Sequence, residues 1–406
     1  MARENFPATL SSSTDVASTA KDTDSQLQHG FDRRSLLKGL GVVGVAVSAG
    51  SLLAPEAAHA SGGLTHGDAA ILRFLAAAEI LESDLWLQYT ELAGTQDDEV
   101  AKIASQQIPG YPATATGGNN PYTQAVLRLD GDMDQYIHDN TEDELTHETF
   151  INAYLVSKGA APVNLDQFRT LPSSKATGAN QVGRLTNLMQ LTVDTSWWTR
   201  YRSRTGNPDL GDTFPNAVPT LGVKQHTAIP RTDDDLTDSN FLQAIANTAG
   251  FHFAFIEQGG TSLYPKLAQR VTSVDVLRIV LAIGGTEIAH FQTWHDKAGN
   301  AIPSPNGVPI IDPVTKVPVL FPDLTNAAVP PVGQDLQSNL IMPEPTVFIK
   351  GLPACSIIRP TATKGAAAGA VASLAADGLF IGQSSAFFEF MNGLAADADN
   401  AKRGIM

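Results

Sequence analysis

The sequence predicts an all-α protein: a four-helix bundle with a long crossover, followed by a mixed irregular and helical C-terminal extension. Three observations carry this expectation. Four stretches repeat apolar residues at the spacing of one helix face. Two of them hold a Glu-x-x-His pair in line with that apolar stripe, Glu144-Leu145-Thr146-His147 and Glu287-Ile288-Ala289-His290. The two halves so defined are separated by a long Gly-, Pro-, Thr- and Asp-rich connection, which a bundle needs where its second and third helices run parallel.

The first helix is expected from about His66 to Ala93, with Ile71, Leu75, Ala78, Glu82, Leu85 and Tyr89 on one face. A Gly-, Pro-, Asn- and Thr-rich insertion, Gly94 to Tyr122, separates it from the second, expected from about Asp132 to Lys158. There Met133, Ile137, Glu144, His147, Ile151 and Tyr154 line up. The connection from about Gly159 to Asp238 contains one further helical candidate, Gln181 to Ser203, with Leu185, Leu188, Met189, Leu191 and the pair Trp197-Trp198. The third bundle helix starts after the capping pair Asp238-Ser239 and carries Leu242, Ala246, Ala249, Phe253 and Glu257. The fourth starts after Thr272-Ser273, carries Val276, Val280, Ile283, Glu287, His290 and Trp294, and is closed by Gly299 and Pro303. Residues 301–364 mix prolines with Ile310, Ile311, Val314, Val317 and Val319, which predicts short strands or extended loop. Residues 365–402 return to Ala-rich helix.

At 406 residues the chain is long enough for one large or two ordinary domains. A net charge of −15 argues against nucleic acid as a partner, because phosphate binding needs a basic surface. The single cysteine, Cys355, excludes an intrachain disulfide framework and any multi-cysteine metal site, and is most simply a core residue. A metal site in this chain has to be built from carboxylates and imidazoles.

The N-terminus reads as a targeting segment of residues 1–60. Asp32-Arg33-Arg34-Ser35-Leu36-Leu37-Lys38 precedes an uncharged apolar run from Gly39 to Ala54, and Ala58-His59-Ala60 offers a small-x-small cleavage pattern before Ser61. This resembles a twin-arginine export signal. It implies a mature chain from about Ser61, located in the periplasm, cell envelope or medium, with the twin-arginine translocase as a partner during export.

Glu-x-x-His alone is a weak motif, and a third copy, Glu56 to His59, lies in the targeting segment. Weight comes from setting and order: a lone Glu, a Glu-x-x-His, a long crossover, a lone Glu and a second Glu-x-x-His, each on its own helix. A residue and its neighbour three positions on share a helix face, so each pair can present a carboxylate and an imidazole to one point. These acids fall where a surface charge should not be. Burying them without a partner costs several kcal/mol, and a divalent metal is the simplest partner.

Here the chain resembles the ferritin-like di-metal carboxylate superfamily, and within it the bacterial ferritin-like domain group related to desiccation-associated proteins, with manganese catalases more distant. The residues that carry the resemblance are Ala78-Glu79-Ile80-Leu81-Glu82-Ser83-Asp84-Leu85-Trp86, Glu144 to Glu148, Gly159 to Pro162 with Phe168, Phe255 to Gly259 with Tyr264, and Glu287 to His290. It covers residues 64–299 or so, treated with their insertions as a domain of about 61–300, and leaves 301–406 unexplained. It implies two Fe or Mn ions; bridging or terminal roles for Glu144 and Glu257; imidazole ligation by His147 and His290; and terminal roles for Glu79 and Glu287. Glu287 can instead serve as a catalytic base. For the first helix, phase favours Glu82, while the resemblance favours Glu79 through the aromatic residue seven positions on, which here is Trp86 where the family usually has Tyr. Tyr89 stands seven after Glu82, so that spacing leaves both open.

Other polar residues read more simply. His252 and His295 are expected on helix faces or behind the ligands, His138 on the surface, and Glu142, Asp143 and Glu148 as solvated acids; Trp197 and Trp198 are expected to be packing residues. Two functions follow: an oxidoreductase acting on peroxide or oxygen, catalase-like or ferroxidase-like, or a non-enzymatic metal-binding or envelope-stress scaffold. Further copies of the chain, in a homo-oligomer, are the remaining expected partner.

Overall fold

The computed structural model describes residues 64–202, 212–325 and 364–404, and the backbone of 341–342 and 355–356. The targeting segment expected over 1–60 lies outside the described residues, as does the side chain of Cys355.

The protein is mostly helical, and its four long helices lie where the apolar periodicity puts them. Helix α1, His66–Ala93, is capped by Thr65, whose hydroxyl accepts from the Asp68 N–H at 3.0 Å. Short helices α2 (Glu99–Gln107) and α3 (Asn120–Val126) follow in the insertion, then α4, Met133–Ser157. Helix α5 (Ser196–Arg202) is short, and α6, Ser239–Ala268, starts at an Asp238 carboxylate that accepts from the N–H groups of Asn240 and Phe241. Helix α7, Val274–Ala298, is capped by Ser273 and closed by Gly299. Among the described residues the strands are two short pairs, β1 (Ile310–Ile311) with β2 (Pro318–Val319) and β3 (Ile341–Met342) with β4 (Cys355–Ser356), both antiparallel. The chain closes with α8, Ala366–Ala376, and α9, Ser385–Asn400.

Helices α1 and α4 pack together, as do α6 and α7. In the first pair Glu79 meets His147 and the Trp86 carbonyl meets Thr141, while the Thr95 N–H reaches the Asp134 carbonyl, so the two run antiparallel. In the second pair the Thr261 hydroxyl donates to the Glu287 carbonyl, and Tyr264 lies against Gly284, again antiparallel. Between the pairs, Tyr264 hydrogen-bonds Glu79 and Tyr89 hydrogen-bonds His252, so α6 also opposes α1. Helices α4 and α6 are therefore parallel, and the segment joining them has to travel back along the molecule. Trp86 stacks on Trp294 at 5.3 Å and on Phe253 at 4.9 Å, forming an aromatic layer that joins the pairs.

The crossover contradicts one expectation. Among its described residues, the helical candidate 181–203 is helical only over Ser196–Arg202. Its earlier backbone is taken by distant partners instead. Buried Asp84 of α1 accepts from the Leu185 N–H at 3.0 Å, the Thr186 N–H at 2.9 Å and Arg169 at 2.7 Å. Arg184 exchanges backbone hydrogen bonds with Leu171, and the Asn187 N–H donates to the Leu379 carbonyl. Donors committed to tertiary acceptors cannot close helical turns. Trp197 and Trp198 are buried packing residues, as expected.

The C-terminal Ala-rich stretch forms two helices rather than one. Gly378, at φ 89°, turns the chain between them and passes so close to the Gln190 carbonyl that a Cβ would lie 2.5 Å from it. Helix α9 packs on α1 and α8 on α6, which makes the C-terminal extension part of the main core. No helix among the described residues is long and apolar enough to cross a membrane.

The face of α1 that turns toward the crossover carries a buried ion pair, Glu91 with Arg184 at 2.5 Å. Glu91→Ala would leave that guanidinium buried and unpaired, and is expected to cost about 3–5 kcal/mol, seen as a lower urea midpoint. A loss below about 1 kcal/mol would show that the pair does not anchor the crossover.

Candidate metal centre

Each long helix supplies one part of a buried cluster at the centre of the helical core. Helix α1 brings Glu79, α4 brings Glu144 and His147, α6 brings Glu257, and α7 brings Glu287 and His290. The ligand atoms form two groups, Glu79–Glu144–His147–Glu287 and Glu144–Glu257–Glu287–His290, and within each group all lie within 4.8 Å of one another. Such a buried Glu/His cluster can hold a metal ion. Glu144 and Glu287 belong to both groups, and Glu79, His147, Glu257 and His290 to one each.

The geometry of Glu144 explains the sharing. Its Oε2 lies 3.1 Å from His147 Nδ1, and its Oε1 lies 3.1 Å from His290 Nδ1. His147 Nδ1 also approaches Glu79 Oε2 at 3.3 Å and Glu287 Oε1 at 3.6 Å, while His290 Nδ1 approaches Glu257 Oε2 at 3.3 Å. Both imidazoles thus turn the same nitrogen to the cluster. Several of these converging atoms satisfy no hydrogen bond: Glu79 Oε2, Glu257 Oε2, both Glu287 oxygens and His290 Nδ1. Buried polar atoms are ordinarily hydrogen-bonded, and these five converge on one space. The donor set is carboxylate oxygen and imidazole nitrogen, with no thiolate.

Around them stands a ring of orienting groups. Asn140 Nδ2 donates to Glu144 Oε1 at 2.9 Å and to Glu257 Oε1 at 3.0 Å, and its own carbonyl accepts from Trp294 Nε1 at 2.7 Å. The Tyr264 hydroxyl donates to Glu79 Oε1, which leaves Oε2 to face the cluster. The outer nitrogen of His290 lies 3.1 Å from Asp143 Oδ2, a contact that fixes the ring's orientation. None of these roles was expected, yet two leave a sequence trace. Asn140 stands one turn before Glu144, and Tyr264 two turns after Glu257, each on the ligand face.

Charge in the cluster is strongly displaced from its ordinary state. Burial pushes the Glu79 carboxyl up to about 7, only partly opposed by His147. Burial, then the Glu144 and other charges nearby, hold Glu287 and Glu82 well above the carboxylate range. Burial also opposes the Glu144 charge, but the two histidines together outweigh it and keep that carboxyl below its usual range. His147 is driven the other way: burial lowers it, and Glu144 with Glu79 more than compensate, raising it to about 12.

On the first helix it is Glu79 that joins the ligand groups, while Glu82 lies outside both and has a buried Oε1 without a partner. Several simpler expectations need correction. His138 is buried, at 3% exposure, between Asp97 and Asp139, each at 3.1 Å. Glu148 is buried rather than solvated, and burial raises its carboxyl to about 7. Asp143 is half-buried against His290. His252 and His295 do lie on helix faces, as expected, buried against Tyr89 and Arg202 respectively. Long-range packing decides these, and nothing local in the sequence signals it. No family model, curated protein or solved structure matches the chain.

The raised acids and His147 hold protons in the folded state that they would release when unfolded, so their contribution is present at low pH and fades as pH rises. The metal-free protein is therefore expected to lose thermal stability as pH climbs from about 4.5 through 7, the window set by Glu79, and His147 continues the trend toward 12. Melting curves of metal-free protein at pH 5 and 8 check this; a higher Tm at pH 8 would contradict it. Adding Mn or Fe at pH 6 should release protons and remove the loss.

Proposed function

We propose that α1, α4, α6 and α7 form a ferritin-like four-helix bundle, and that the chain is an exported di-metal carboxylate protein performing redox chemistry on peroxide or oxygen. The observation that carries this reading is the pair of ligand groups sharing Glu144 and Glu287. Glu79 and His147 would hold one ion, Glu257 and His290 the other, and the two shared carboxylates both. Two Fe or Mn ions so bound would supply the paired electrons that peroxide or oxygen exchanges.

The chain's own residues set the conditions for that chemistry. Asn140, Tyr264 and Asp143 hold Glu144, Glu257, Glu79 and His290 in place, so the ligand atoms need little rearrangement. Trp86, Phe253 and Trp294 pack on one another and place an apolar layer between the helix pairs. In the alternative role, standing beside the ions rather than holding them, Glu287 would take and return a proton, since neither of its oxygens is committed to a hydrogen bond. The twin-arginine pattern at Arg33-Arg34 supports export, and the motif order supports kinship with the desiccation-related ferritin-like group. The cluster's enclosure and its shared carboxylates favour a reactive centre over a scaffold that merely retains metal.

Elemental analysis of the exported protein should find about two Fe or Mn per chain, in line with two ligand groups, together with peroxide consumption. Protein that stays metal-free after reconstitution would overturn the reading; metal without turnover of peroxide or oxygen would leave the scaffold function. His147→Ala and His290→Ala are each expected to lose metal, whereas His138→Gln, outside the cluster, keeps it. Glu79→Gln should lower metal content more than Glu82→Gln, and the reverse order would move the first-helix ligand to Glu82.

A further inference from the structure

The C-terminal helices enclose a cavity of about 100 Å³ that reaches the carboxylate cluster. Its walls come from three parts of the chain: Leu81 and Leu85 of α1, Phe255 of α6, and Val371, Phe380 and Met391 from α8, the turn after it, and α9. At one end stand Glu79 and Glu82, whose Oε2 and Oε1 respectively have no hydrogen-bond partner. The volume is of the order of the roughly 150 Å³ engineered apolar cavities that stay dry and take up benzene. Most of the lining is apolar, with Glu79, Glu82, Tyr264, Gln258 and Ser373 as the polar exceptions, so water in this space would find few partners along most of the wall.

The helix wall beside the cluster is bare. Gly259 and Gly260 follow one another in the second half of α6, where glycine weakens a helix. A Cβ on Gly260 would lie 2.0 Å from Glu287 Oε2, so no side chain can stand between the cavity wall and that carboxylate. Gly259 is exposed with nothing within 4 Å of its Cβ position, which leaves the rim open to solvent. A path thus runs from the surface, along apolar walls, to the ligand carboxylates.

We propose that this cavity binds an apolar small molecule the size of one aromatic ring or a short alkyl chain, and holds it against the metal centre. The binding stands on the cavity alone; its placement beside metal rests on the function proposed above. It also gives the C-terminal extension a purpose, since α8 and α9 supply the walls that the four long helices lack.

The test is a fluorine NMR titration of the full chain with fluorobenzene, in metal-free and Mn-loaded forms. Saturable binding is expected in both, with paramagnetic broadening of the bound signal only in the loaded form. Val371→Phe, which fills the cavity, and Leu374→Phe, at its half-buried rim, should each weaken binding by about tenfold or more, with helix content unchanged by circular dichroism. In the metal-free form the anionic 4-fluorobenzoate should bind at least about tenfold more weakly, because the apolar walls would take its charge out of water without pairing it. Absence of saturable fluorobenzene binding to the wild-type chain would overturn the proposal, as would unchanged affinity in both filled variants. Binding without broadening, in a chain shown by elemental analysis to hold Mn, would overturn the placement. A chain that binds fluorobenzene but takes up no metal would keep the cavity site and defeat the metal reading instead.

Discussion

Enclosing four carboxylates and two imidazoles in one water-poor space is the constraint on which the rest of the structure depends. Each ionised acid removed from water costs several kcal/mol unless something meets its charge. Metal-free, the cluster meets that cost with retained protons and with His147 held charged between Glu144 and Glu79. Asn140, Tyr264 and Asp143 then hold the acids and the imidazole in one arrangement rather than letting them turn toward solvent. Four helices meeting at one level are what bring these groups together, and the Trp86–Trp294–Phe253 layer fills the core beside them.

That arrangement in turn dictates the connection. With α1 antiparallel to both α4 and α6, the chain has to cross the molecule between Ser157 and Ser239, and it does so with little helix of its own. The rear of α1 serves as its anchor. Asp84 gathers two backbone N–H groups and Arg169, and Glu91 takes Arg184, so one helix carries ligand Glu79 on one side and crossover anchors on another.

The long helices were legible because their cores repeat at helical spacing, and the cluster residues because Glu144, His147, Glu257, Glu287 and His290 interrupt apolar stripes where only a partnered charge can sit. Glu79 and Glu82 were not separable on that basis. They lie one turn apart on the same face, and only the position of His147 and Tyr264 selects between them. The crossover was misread for a physical reason. Leu185, Leu188 and Leu191 have helical spacing, but the N–H groups around them bond to Asp84, Leu171 and Leu379, partners far away in sequence. The burial of His138 and Glu148 likewise depends on neighbours that no local pattern reveals.

The proposed function requires the two Glu/His groups to be two halves of one metal centre. Anomalous diffraction from crystals of Mn- or Fe-loaded protein, recorded above and below the metal's absorption edge, tests it most directly. The account predicts two peaks inside the cluster, one beside Glu79 and His147 and one beside Glu257 and His290, with Glu144 and Glu287 contacting both. A single peak, or peaks bound only by surface acids, would contradict it.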